Sequence, residues 1–135
     1  MSESKLKPVY GETNPDPEET ASQSIRRYGS VIGLKPDSEQ SYRELHANAW
    51  PAVVARLKQS NVQNYSIYLT ELDGKQYLFS YFEYTGNDYD ADMLKIAEDP
   101  ETRRWWQQTD PLQIQLPNRN EGDNWSIMER VFLME

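Results

Sequence analysis

His46 is the only histidine among the 135 residues, and imidazole both gives and accepts protons near neutrality because its ordinary pKa is about 6.5. Tyr42 precedes it by four residues and Trp50 follows it by four, a spacing that stacks all three on one face of a helix. Tyr65 opens a strand-like run, and Trp105 and Trp106 stand side by side. On a helix those two indoles diverge by about 100°, so one can anchor in a core while the other lines a pocket. Aromatic faces pack against the C–H faces of a sugar ring, and phenol hydroxyls add directional hydrogen bonds. The set therefore suits proton transfer on a carbohydrate. It also suits a hydrogen-bonded structural histidine among core tryptophans, the commoner case for a lone histidine beside aromatics, and spacing alone leaves both readings open.

Other chemistries find less support. The chain has no cysteine, which removes thiol nucleophiles, disulfides and cysteine-ligated zinc. A metal site would need carboxylates, and the one close set, Asp88, Asp90 and Asp92, has the spacing of a solvated helix start. No glycine-rich phosphate loop, nucleophile elbow or serine triad occurs. A formal net charge of −8 repels the phosphate backbone, so no nucleic-acid partner is expected. No apolar run reaches the roughly 20 residues that span a bilayer, and the N-terminus lacks a basic start followed by an apolar block. The expectation is a protein with no membrane contact, placed by default in the cytoplasm.

The elements that must position these residues are readable from patterning. Residues 1 to 25 are rich in Glu, Pro, Ser, Thr and Asn and read as a flexible extension. Residues 26 to 135 form one domain. The run RYGSVIGLK, ending at Pro36, is the first strand, and Asp37 or Ser38 can cap the helix after it. Tyr42, Leu45, Ala49, Val53 and Leu57 then recur at helical spacing, with Pro51 expected to kink or restart the helix near Trp50. In NYSIYLTELDGKQYLFSYFEY, Asp73-Gly74 joins two strands through a tight turn. Helical pattern resumes in YDADMLKIAED and again from Pro100, with Asp99 as cap. A long turn-rich loop, DPLQIQLPNRNEGDN, leads to a last strand, WSIMERVFLM.

The order β-α-β-β-α-β is the ferredoxin-like α+β arrangement, an antiparallel sheet with helices on one face. The third and last strands are apolar on both faces, more than a one-sided sheet needs. A second copy packed sheet to sheet, forming a dimeric α+β barrel, is the expected cover.

Three motifs, in this order and spacing, resemble the L-rhamnose mutarotase family. They are Tyr42-Arg43-Glu44-Leu45-His46 with Asn48, Trp50 and Pro51; Asn64-Tyr65-Ser66-Ile67-Tyr68-Leu69; and Arg104-Trp105-Trp106 with Thr109-Asp110. The resemblance implies a ferredoxin-like homodimer that interconverts the α and β anomers of L-rhamnose, or a similar 6-deoxy sugar, without a cofactor. It places the family's proton donor on His46 and its substrate-binding positions on Tyr42, Tyr65, Trp105 and Trp106. The chain departs from the family in its N-terminal extension, an expanded segment from Thr85 to Asp92, and a longer loop after Asp110. Two other readings share the fold: a cofactor-independent monooxygenase or haem-handling enzyme, and a module that binds a sugar without catalysis.

Overall fold

The computed structural model describes Val9 and residues 25–134. The expected N-terminal extension therefore lies, apart from Val9 and Ile25, outside the described residues. The chain forms β1 (Arg26–Leu34), α1 (Glu39–Ala47), α2 (Pro51–Gln59), β2 (Val62–Leu72), β3 (Lys75–Tyr84), α3 (Tyr89–Glu98) and α4 (Pro100–Thr109). A 3-10 turn (Asp110–Leu112), β4 (Gln113–Ile114) and β5 (Ser126–Met128) complete it. The described residues make a mixed α+β fold with one antiparallel sheet and four α-helices. Strand order is β2-β3-β1, with β4 and β5 sharing the free edge of β1 at different heights.

Local chemistry explains most boundaries. Trp50 is extended (φ −65, ψ 126) and Pro51 takes the first position of α2, because a residue before proline is disfavoured in the helical region. The predicted interruption is thus a restart into two helices. Asp99 caps α4 as expected: its Oδ2 accepts from the Thr102 backbone N–H at 2.9 Å and from the Thr102 hydroxyl at 2.8 Å. Asp73 (φ 51) and Gly74 (φ 75) supply the two left-handed residues of the β2–β3 turn. Ser38 sits at the start of α1 but makes no capping bond through its side chain; the first turn carries instead Glu39, paired with Arg43 at 2.8 Å.

The last strand differs from expectation. Only Ser126–Met128 pairs with β1, and residues 129–134 carry no regular secondary structure. Continuing the register of Gly29↔Met128 would set Arg130 opposite Arg27, and like charges directly opposed are unfavourable. β4, within the segment expected to be loop, takes a different stretch of the same edge, on the far side of β5, where Leu34 pairs with Gln113 and the Lys35 N–H donates to the Leu112 carbonyl at 2.8 Å.

The sheet has two unlike faces. Ile32, Leu34 and Leu78 pack with Tyr42 of α1 as the core, joined by Ile67, Leu69, Leu112 and Trp125. On the opposite face the register aligns Val31 with Phe79 and Tyr68 with Phe79, and Tyr68 remains 62% exposed.

The acidic set at α3 also departs from the solvated helix start. Asp88 does cap α3 through the Ala91 N–H. Asp92, however, is buried, accepting from the Tyr84 hydroxyl and from Asn61 Nδ2 at 2.9 Å. Those bonds hold the Asp92 carboxyl below its usual range and tie α3 to the end of β3 and to the turn after α2. No group of three metal-ligating side chains occurs among the described residues.

Candidate functional site

Between the core face of the sheet and the helices lies a cavity of about 1680 Å³, and Tyr42, His46, Tyr65, Trp105 and Trp106 all line it. The three sequence motifs, separated by up to about sixty residues, thus converge on one space. Each arrives by a different device. Tyr42 and His46 come from α1 at helical spacing. Tyr65 lies on β2 two residues before Ile67, so alternation sets it on the face of Ile67 and Leu69, where its ring lies 5.4 Å from Phe82. A bulge precedes it: the β2–β3 register shifts between Gln63 and Ser66, with Asn64 at φ 48, and the extra residue turns Val62, opposite Tyr84, to the same face. Trp105 and Trp106 come from α4, and the expected divergence is present: Trp105 is 8% exposed and Trp106 38%.

His46 is fixed from three sides. Its Nδ1 lies 2.9 Å from the Tyr42 carbonyl oxygen; a carbonyl only accepts, so Nδ1 carries the proton and Nε2 is the nitrogen left for chemistry. Its ring stacks on Tyr42 with centroids 4.2 Å apart and planes at 22°. Trp105 presents its ring at 5.1 Å and 70°, and meets Trp50 at 5.3 Å in the same way. Burial lowers the imidazole pKa below 6.5, and the bond to the Tyr42 carbonyl opposes that shift only in part. A lowered pKa makes the imidazolium form a readier proton donor.

The phenols behave oppositely. Burial raises Tyr42, whose hydroxyl accepts from Gln113 Nε2 at 3.4 Å. Desolvation also raises Tyr65, although 43% of the residue is exposed. Both tyrosines therefore keep their protons near neutrality and serve as hydrogen-bonding groups. From Tyr65 the aromatic wall continues through Phe82 to Tyr28 (5.2 Å) and Tyr89 (4.8 Å).

Several lining groups were not singled out from the sequence. Gln113 of β4 reaches Tyr42, and Asn124 Nδ2 donates to Gln113 Oε1 and to Asp110 Oδ1, both at 3.3 Å. Burial raises the Asp110 carboxyl above its ordinary 3.8, the bond from Asn124 opposing it. Asp110 stood in the third motif, beside Thr109 and four residues after Trp106, but was given no role there. Gln113 and Asn124 gave none, since their partners come from remote segments.

Comparison with known proteins agrees with the geometry. A protein of Oceanobacillus iheyensis named L-rhamnose mutarotase is 31% identical over 111 residues, covering 82% of this chain and all of that protein. One of the same name from Lactiplantibacillus plantarum is 35% identical over 86 residues, 64% of this chain and 78% of its own length. The crystal structure of an L-rhamnose mutarotase from Formosa agariphila superposes with a TM-score of 0.61 at 25% identity, covering 82% of this chain and 99% of that one. Residues 27–134, which carry every side chain converging on the cavity, match the family described as L-rhamnose mutarotase, and the chain belongs to that family.

Proposed function

We propose that this protein is a mutarotase that interconverts the α and β anomers of L-rhamnose or a similar 6-deoxy sugar by acid/base ring opening and closure. The observation that carries the reading is the setting of His46: one ring nitrogen tied to a backbone carbonyl, the other available in a cavity walled by aromatic rings. His46 delivers a proton from Nε2 to the ring oxygen while a second group takes the proton of the anomeric hydroxyl and the C1–O bond breaks, and both transfers reverse on reclosure. The open-chain aldehyde rotates between the two events, so closure on its other face inverts the anomeric centre. Tyr42, Tyr65, Trp105 and Trp106 hold the sugar, the indoles against its C–H faces and the phenols through hydrogen bonds. No step in this scheme transfers electrons, so none calls for a redox cofactor.

The strand order and the exposed apolar face carrying Tyr68, Ile114 and Met128 support the ferredoxin-like grouping and a homodimer packed through its sheets. Light scattering would give twice 15.8 kDa for that dimer; a 15.8 kDa particle at micromolar concentration would refute it. Among the described residues no helix is long and apolar enough to cross a membrane, which accords with a cytoplasmic placement. Exchange between the anomeric proton signals, followed by saturation-transfer NMR across a panel of L- and D-sugars, tests the activity and ranks the substrates. Fastest exchange is expected for L-rhamnose or another 6-deoxy sugar. Contact without exchange for every sugar would make the protein a binder only.

A further inference from the structure

Ring opening needs a second group, one that removes the proton from the anomeric hydroxyl while the ring oxygen gains one. Tyr42 and Tyr65 line the cavity, but their phenols are held protonated by burial and serve poorly as bases. Among the described lining residues the carboxylates are Asp110 and Asp123. Both are exposed, but Asp123, on the loop between β4 and β5, has a side chain held by no hydrogen bond among the described residues, whereas Asp110 has one. Asp110 lies where α4 passes into the 3-10 turn, one helical interval from Trp106, so it shares that indole's side of the helix.

Its surroundings hold it in one orientation. Oδ1 accepts from Asn124 Nδ2, and the same amide donates to Gln113, whose own Nε2 donates to the Tyr42 hydroxyl. Asn124 is in turn fixed by Gln115 Nε2, which donates to its Oδ1 at 2.9 Å. A continuous chain, Asp110–Asn124–Gln113–Tyr42, therefore links the carboxylate to the residue on which the His46 ring is stacked. The other oxygen, Oδ2, accepts no hydrogen bond from the described residues, which leaves it for a substrate hydroxyl. The charged side chains that also line the cavity are Arg43, Lys58 and Asp123, and Asp110 forms an ion pair with none of them within 4 Å.

Resting on the mutarotase reading above, we propose that Asp110 is the second proton-transfer residue, with Asn124 as the group that positions it. Asp110 Oδ2 takes the proton of the anomeric O1–H, and C1=O1 forms. The C1–O5 pair moves to O5, which takes the proton of His46 Nε2. Nothing is oxidised or reduced, and reclosure reverses each transfer. The reacting form carries one proton on the pair, on His46. A histidine below its ordinary pKa and a carboxylate above it exchange that proton with little driving-force penalty.

The test is Asp110→Asn, a near-isosteric change at an exposed position that keeps an oxygen facing Asn124. Anomer exchange of L-rhamnose is followed by saturation-transfer NMR in the unmutated protein, D110N and D110E, beside thermal melts. The proposal expects kcat to fall at least about 100-fold in D110N, with KM within about threefold and a melting temperature at neutral pH equal to or above that of the unmutated protein, because a carboxylate disfavoured by burial is gone. D110E, with its carboxylate displaced by one methylene, falls between the two. A D110N rate within about threefold of the unmutated protein overturns the assignment, as does a loss confined to KM, which makes Asp110 a binding residue only. Absence of exchange in the unmutated protein overturns the mutarotase reading itself, and this assignment with it.

Discussion

Trp105 and Trp106 are adjacent in sequence and identical in chemistry, so truncating each in turn asks whether α4 divides their labour as its geometry requires. Trp105 is 8% exposed and Trp106 38%. For a side chain of roughly 250 Å² that difference leaves about 75 Å² more apolar surface covered at Trp105, worth about 2 kcal/mol at ~25 cal/mol per Å². Trp105→Ala is therefore expected to cost about 3–5 kcal/mol, in line with buried tryptophan truncations, and Trp106→Ala about 2 kcal/mol less. For a chain of this size the two melting temperatures should lie roughly 8 °C apart. Activity should divide the other way. Trp106 lines the cavity without touching His46 and its loss should raise KM alone, whereas Trp105 lines the cavity and also packs against the His46 ring, so its loss should lower kcat as well as raise KM. The assay is urea and thermal denaturation of both variants with anomer exchange measured over a range of sugar concentrations. If Trp106→Ala proves as destabilising as Trp105→Ala, the assignment of the two faces of α4 is wrong.

Two further outcomes follow from groups around the cavity. A Cβ at Gly86 would collide with the Tyr84 hydroxyl oxygen and lie 2.7 Å from Asp92 Oδ2, both atoms held in the buried Tyr84–Asp92 contact, so Gly86→Ala should destabilise by about 2–3 kcal/mol through forced repacking; an unchanged melting temperature would contradict that packing. His46 has a folded pKa below 6.5, so the stability it contributes is present above pH 6.5 and is lost as pH falls through the lowered folded value. Stability measured against pH should accordingly show a loss below pH 6.5 that is absent from His46→Gln, and parallel curves for the two proteins would refute the shift.

What could be read from the sequence was mostly local. Asp73-Gly74, the Pro51 restart and the Asp99 cap each depend on a few neighbouring residues, and all three stand in the structure where patterning put them. The side chains expected at the site do line one cavity because helical spacing fixed Tyr42 relative to His46 and the Trp pair relative to each other. Alternation from Ile67 and Leu69 placed Tyr65 on the core face, whereas the bulge before it, which turns Val62 to the same face, left no pattern. Long-range pairing was less legible. The last strand reads as ten apolar-rich residues, but continuing it past Met128 would set Arg130 opposite Arg27, a hundred residues away. Asp92 looked like one of three surface acids until Tyr84 and Asn61 closed over it. Gln113 and Asn124 belong to the same class: polar residues in a turn-rich segment whose role exists only once β4, α1 and the end of α4 are brought together.

The proton-transfer role of His46 is the central claim, and one measurement reaches it directly. Freshly dissolved L-rhamnose is equilibrated by the unmutated protein and by His46→Ala, with binding followed in the same samples by saturation-transfer NMR. The account predicts that the variant still contacts the sugar through its aromatic walls while anomer exchange falls at least about 100-fold, toward the uncatalysed rate. Equal exchange rates for the two proteins would contradict it.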